Sequence, residues 1–243
     1  MINSSKVLAI IPARKGSVGL KKKNIKSIYG EPLISWTIKQ CQYSKYIDKT
    51  VVSTDCKQII NIASKHGIKP TYIRPKYLSK NSTSTFEVVR HMINFLNKKY
   101  SERYEYIVLA QPTSPLRDRK DFDNLIFKLE KNKKSYDSIV SVGKCRENPS
   151  LIKKISGQSI LPFNRNIDIN VRRQLFKNLY YPNGLGFVVK ANSLLKEKTF
   201  YTKRQTFYLC KQYQNYDIDD IYDFLNTETI MKLKNYNFKN YNK

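Results

Sequence analysis

Several common chemistries lack their residues in this chain. Among 243 residues there are two histidines, one tryptophan and four cysteines. Cys41, Cys56, Cys145 and Cys210 are scattered with no C-x-x-C pair, a pattern that suits a reducing cytoplasm and gives zinc no ligand spacing. No Ser-His-Asp or Cys-His constellation is in evidence, so covalent acyl chemistry has no foothold. His66, near a helix end, and His91, in mid-helix, read as structural. No run of about 18 apolar residues exists to span a membrane. MINSSK leads into a five-residue apolar stretch before Pro12 and Arg14, so no secretory leader is expected. Neither a Walker A sequence nor a G-x-G-x-x-G turn occurs, which removes the main support for kinase, P-loop ATPase and dehydrogenase readings.

Acidic residues are also scarce, 19 against 45 lysines and arginines, for a formal net charge of +26. Such a surplus raises nucleic acid as a partner. The lysines are spread along the whole chain rather than gathered in a stripe, and no RNA-recognition or helix-turn-helix signature accompanies them. No nucleic-acid partner is therefore expected. The surface would still steer anionic substrates toward the protein.

What is present is an alternation of strand and helix signals, the pattern of an α/β fold with a mostly parallel sheet. Residues 7–11 form a short β-branched run, read as a buried strand. Residues 33–42 form a helix behind Pro32, 50–54 (TVVST) a second strand, 56–66 a helix stopped by Gly67, and 70–73 a third short strand. Ser84 and Glu87 fit a capping box opening an amphipathic helix. Residues 105–110 (EYIVLA) read as a central strand, 119–133 as a helix and 137–142 as a strand. Between 143 and 181 the rhythm fails, which suggests a hairpin or arm leaving the sheet. Residues 184–190 return as a strand, and a helix begins near Asp220.

Ligands of an open parallel sheet sit outside the carboxyl ends of its strands. The turns expected there are ARKGSVGLKKKN, STD, AQPTSPLR, PNG and DIDD. In the first, Gly16, Ser17 and Gly19 would permit backbone conformations closed to bulkier residues, turning N–H groups toward one anion. Arg14, Lys15, Lys21, Lys22 and Lys23 surround it with charge suited to a nucleoside triphosphate. A surface turn with solvated lysines is the alternative. Asp217 and Asp219 stand two apart, so an extended segment directs both carboxylates to one face, where they could share a hard cation such as Mg²⁺. Equally, the DIDD cluster could cap the last helix. Gln111, in a turn that Pro112 and Pro115 would fix, can present an amide to a base edge, with a plain inter-strand turn as the alternative. Arg74 and Arg172 or Arg173 offer planar cationic forks.

Read together, IIPARKGSVGLKKKN, VVSTD, IRPKYLSKNSTS, LAQPTSPLR, YPNGLGFVV and YDIDDIYDF resemble the acylneuraminate cytidylyltransferases, the CMP-sialic acid synthetase family. The likeness runs in order over about residues 7–230. It implies a Rossmann-like three-layer nucleotidyltransferase fold over residues 1–243, with an inserted dimerisation subdomain at 143–182. It further implies an enzyme that joins CTP to a nonulosonic acid, releases pyrophosphate, uses Mg²⁺ and works as a homodimer. By motif position, Arg14, Ser17, Lys23 and Asn24 would bind the triphosphate and ribose region, with Arg14, Lys23, Asp217 and Asp219 carrying catalysis. Arg74, Ser84 and Gln111 would contact or position the nucleotide, and Asp217 and Asp219 would hold the metal. Gln111, Asn183 and Phe187 would line the sugar pocket, and Arg173 would reach the acidic sugar from the arm. Val18 stands where many relatives have lysine, and Asn81 where an aspartate is common. AQPTSP separates the chain from the related Kdo cytidylyltransferases, which carry an LQGDEP-type sequence there. Sialic acid, legionaminic acid and pseudaminic acid all remain open as substrates.

Overall fold

The structure is a computed structural model that describes residues 2–16, 19–69, 72–163 and 177–237. Its centre is a six-stranded sheet built on β1 (Val7–Pro12), β4 (Lys49–Ser53), β5 (Tyr106–Leu109), β6 (Ser138–Lys144), β9 (Tyr180–Lys190) and β10 (Gln205–Leu209), in the order β10-β6-β9-β5-β1-β4. Two short antiparallel pairs lie outside it, β2 (Ser27–Ile28) with β3 (Glu31–Pro32) and β7 (Lys153–Ser156) with β8 (Ser159–Pro162). Only β9 runs against its sheet neighbours, pairing antiparallel with both β5 and β6.

β1 and β5 are buried along most of their length, as strands covered on both faces must be. Alternation along β1 assigns each side chain to a layer. Val7, Ala9 and Ile11 pack with α1 (Leu33–Tyr43), α2 (Lys57–Lys65) and α4 (Asp121–Lys131). Leu8 and Ile10 face the opposite way, against α3 (Thr85–Tyr100) and α5 (Ala191–Glu197). The outer side of α1, through Leu33 and Trp36, meets Phe224 and Met231 of α6 (Ile221–Leu233). The result is the expected three-layer α/β arrangement.

Two details differ from the sequence reading. Tyr72 and Ile73 carry no strand, and β4 is the edge of the sheet. Tyr72 instead bonds Ser53 Oγ at 2.9 Å and stacks on Phe95, while the Arg74 amide takes the Thr54 carbonyl at 2.7 Å. The segment serves a site rather than a ladder. Conversely, β10 pairs parallel with β6 over five residues that alternate too weakly to stand out.

β6 and β9 pair out to Lys144 and Tyr180, and of the excursion expected between them residues 145–163 and 177–179 are described. Within it, β7 and β8 form a hairpin that presents Ile155 and Ile160 as a cross-strand pair. Among the described residues no helix is long and apolar enough to cross a membrane.

Candidate active site

The carboxyl ends of β1 and β5 open into a cavity of about 390 Å³. Arg14, Gly16, Gly19, Lys23 and Asn24 line it from the loop after β1, Arg74 and Asn81 from the segment before α3, Gln111 and Thr113 from the turn after β5, and Asp219 from the segment before α6.

The loop is positioned by its own hydrogen bonds. The Ala13 amide donates to Ser53 O at 2.9 Å, the Lys15 amide to Asp55 Oδ1 at 2.7 Å, and Asn24 Nδ2 to Arg14 O at 3.2 Å. Lys22 lies in the left-handed region at φ 54°, which turns the chain into a single 3₁₀ turn at Lys23–Ile25. That turn aims Lys23 inward, where Nζ donates to Ile218 O at 2.5 Å and Asp219 Oδ1 at 3.1 Å. The amino-terminal loop and the carboxyl-terminal acidic segment therefore touch. Gly16 does not have the left-handed backbone that the conformational argument from sequence allows it. Gly19 is required by proximity, because a Cβ there would collide with the main-chain oxygen of Asp219.

Arg14 Nη1 reaches Asn81 Oδ1 at 2.5 Å across the cavity. Asn81 is neutral, so this bond holds the guanidinium without cancelling its charge. Arg74 is buried, donating from Nε to Ser53 Oγ at 3.1 Å and from Nη2 to Ser53 O. Burial pushes its pKa below the ordinary guanidinium value, offset in part by Tyr72 and Asp55 and reinforced by Arg14. Ser84 closes a capping box with Glu87, its Oγ accepting from the Glu87 amide at 3.2 Å. Thr83 and Thr85 on either side line the cavity, and Ser84 is not among the lining residues.

The acidic cluster divides its labour. Asp220 caps α6, accepting from the Asp223 amide at 2.9 Å, and this leaves the Asp219 side chain 85% exposed at the cavity. Ile218 between the two candidate ligands is buried, and its amide donates to Thr113 O at 2.9 Å. Asp217 faces Gly184, whose amide donates to Oδ2 at 2.9 Å, and Ser114 Oγ donates to Oδ1.

No group of three or more His, Cys, Asp or Glu among the described residues could cage a metal. Mg²⁺ does not need such a cage, since it binds through one or two carboxylates together with substrate phosphates and water. Asp219 keeps a free carboxylate oxygen at the cavity, and each Asp217 oxygen holds a single protein hydrogen with a lone pair to spare. The oxygen-only donor set fits that ion.

Other assignments fall elsewhere. Ser17, Val18, Arg172 and Arg173 lie outside the described residues. Asn183 and Phe187, expected at a sugar pocket, are buried and do not line the cavity. Asn183 Nδ2 donates to Cys210 Sγ at 3.0 Å and Asn215 Oδ1 at 3.1 Å, while its oxygen accepts from the Leu185 amide at 3.3 Å. Phe187 packs edge-on to Phe200 and Tyr201. His66 bonds Ser35 Oγ at 2.9 Å and His91 stacks on Tyr72, both in supporting positions.

Sequence reasoning missed Gly184 and Arg117. A Cβ on Gly184 would lie 2.6 Å from both Asp217 Oδ1 and Gln111 Oε1, and closer still to Ser114 Oγ. Arg117, at the end of QPTSPLR, is fully buried and bonds the carbonyls of Gln111, Gly184 and Leu185. An arginine closing a turn of prolines and small residues was the available signal.

Known proteins are similar to this chain. An Escherichia coli N-acylneuraminate cytidylyltransferase is 32% identical over 233 residues, covering 95% of this chain and 53% of that protein. This chain thus spans about half the length of that relative. A Legionella pneumophila CMP-N,N'-diacetyllegionaminic acid synthase is 31% identical, with 94% of this chain and 97% of that protein covered. Among solved structures, a CMP:2-keto-3-deoxy-manno-octonic acid synthetase complexed with CTP shares the fold at a TM-score of 0.67 and 14% identity, over 95% of this chain and 100% of that one. The family model described as Cytidylyltransferase matches residues 8–242, and with a cavity that faces a cationic loop toward Asp219 the chain belongs to the cytidylyltransferase family.

Proposed function

We propose that this protein activates a nonulosonic acid of the sialic type with CTP, giving the CMP-sugar and pyrophosphate in the cytoplasm. The observation that carries the reading is the Lys23 bridge to Ile218 and Asp219, which brings cationic loop and carboxylate to one cavity. The anomeric hydroxyl oxygen of the sugar attacks the α-phosphorus as the bond to the β-phosphate oxygen breaks. The hydroxyl proton is released, and pyrophosphate departs opposite the entering oxygen.

Arg14, Lys23 and the amides of the Gly16–Gly19 loop, Ser17 included, hold the triphosphate in this reading and stabilise the charge gathered on the leaving pyrophosphate. Asn24 fixes the loop at Arg14 O and faces the ribose. Arg74 supports the nucleotide from its anchor on Ser53, Ser84 orders the first turn of α3 beside it, and Gln111 stands between base and sugar. Asp219, with Asp217, would hold Mg²⁺, which when bound supplies further neutralisation of the triphosphate.

The test is pyrophosphate release with CTP, Mg²⁺ and a panel of sialic, legionaminic and pseudaminic acids. Release is expected only when all three components are present, and one acid should stand out. Equal release with a neutral hexose, or none with any acid, contradicts the reading.

The active form is a homodimer built through the 143–182 excursion. Ile155 is 83% exposed, Ile160 69% and Phe163 70%, an apolar face that a second copy of the same hairpin can cover. Arg173, carried by that excursion, is assigned to the acid in the partner's cavity by motif position. Sedimentation should give a dimer for the wild type and a monomer for Ile155→Asp with Ile160→Asp; an unchanged dimer places the interface elsewhere.

A further inference from the structure

We infer that Arg117 is a positioning residue for the sugar-acid half of the site: its guanidinium sets the separation between the Gln111 turn and the Gly184 bulge. The assignment rests on the functional reading above.

β5 and β9 stop pairing at Leu109 and Phe187. At the same level β9 slips against β6, for Val140 faces Phe187 whereas Val142 faces Pro182. Residues 183–186 thus leave the ladder on both sides, and their buried backbone groups need other partners. Ser141 Oγ donates to Asn183 O at 3.0 Å and accepts from the Gly186 amide at 2.9 Å. Asp217 takes the Gly184 amide and the Asn183 side chain takes that of Leu185.

The carbonyls of Gly184 and Leu185, adjacent within this stretch, both turn to Arg117, at 2.9 Å from Nη2 and against Nε. The same Nη2 reaches across to Gln111 O at 2.7 Å. One rigid planar group therefore bridges the gap where the sheet has opened. Its other edge is fixed to α1, with Nη1 donating to Thr37 Oγ1 at 3.2 Å and Gln40 Oε1 at 3.1 Å, and Phe122 lies 5.1 Å from the guanidinium carbon.

Being fully buried, Arg117 acts only through the loops it holds. Those loops carry Gln111 and the Gly184–Asp217 contact, while Arg14, Lys23 and Asn24 make none of these bonds. Gln111 and Asp217 also serve the nucleotide side in the functional reading above, but the triphosphate contacts of Arg14 and Lys23 are independent of Arg117, so its loss should weigh more on the acid than on CTP.

Arg117→Lys keeps the charge and removes the fork. With CTP, Mg²⁺ and the acid that gives the highest wild-type turnover, KM for the acid should rise about tenfold or more, as small misplacements at reacting centres do, while KM for CTP changes less than about threefold. Thr37→Val, which takes away one anchor and leaves Arg117, should give the same split at smaller size, and it carries the test alone if Arg117→Lys does not fold. Both KM values moving together, or a lowered melting temperature with both KM values kept, overturns the assignment. A wild-type enzyme inactive with every acid overturns the functional reading itself, and this assignment with it.

Discussion

Asp219→Asn should cut turnover by about tenfold to a thousandfold while the protein stays folded, the usual range for losing a group that stabilises transition-state charge. The carboxylate is exposed at the cavity, and its side-chain contact in the structure is Lys23. Capping of α6 belongs to Asp220, so no helix terminus depends on the Asp219 side chain. An amide of the same size removes the charge and leaves the packing of Ile218 untouched. Pyrophosphate release and a thermal melt together check the prediction. Near-normal turnover would reduce Asp219 to a surface partner of Lys23.

Gly184→Ala should lower kcat/KM by about a hundredfold, the scale on which displacements near 1 Å act at a reacting centre. The added methyl would meet Ser114 Oγ, Asp217 Oδ1 and Gln111 Oε1 together. Two of the three cannot simply swing away: Asp217 is tied to the Gly184 amide itself, and Ser114 is buried and bonded to Asp217. The methyl therefore drives apart groups that the proposed reaction needs together. Wild-type kinetics for the variant would show that the contact over Gly184 has no part in the reaction.

Much of the layer structure was legible because it rests on local chemistry. The β1 run, the capping box at Ser84 and Glu87 and the stop at Gly67 each act within a few residues, and each stands where expected. What escaped depends on partners distant in sequence. Tyr72 and Ile73 have strand-like side chains, but Ser53 and Phe95 draw Tyr72 into a loop that carries Arg74. The direction of β9 is set by its neighbours and not by its own pattern.

The site divides in the same way. Arg14, Lys23, Arg74, Gln111 and Asp219 announced themselves by charge and turn chemistry and Asn24 by motif position, and the structure gathers them around one cavity. Asn183 and Phe187 were placed at a sugar pocket by motif position alone, and the structure buries both away from the cavity. For Gly19 the residue was identified with a different reason, a backbone approach across 200 positions of sequence. Arg117 shows the limit most clearly, because a buried arginine is meaningful only once the carbonyls it serves have lost their strand partners.

The central claim is that the amino-terminal cationic loop and Asp219 serve a single nucleotide. Calorimetric titration with CTP, with and without Mg²⁺, on the wild type and Asp219→Asn tests it most directly. Mg²⁺ should tighten CTP binding by about tenfold or more in the wild type, as expected when carboxylate and phosphate oxygens share one ion, and should lose most of that effect in the variant. A wild-type affinity indifferent to Mg²⁺, or a variant that retains the full enhancement, would contradict the account.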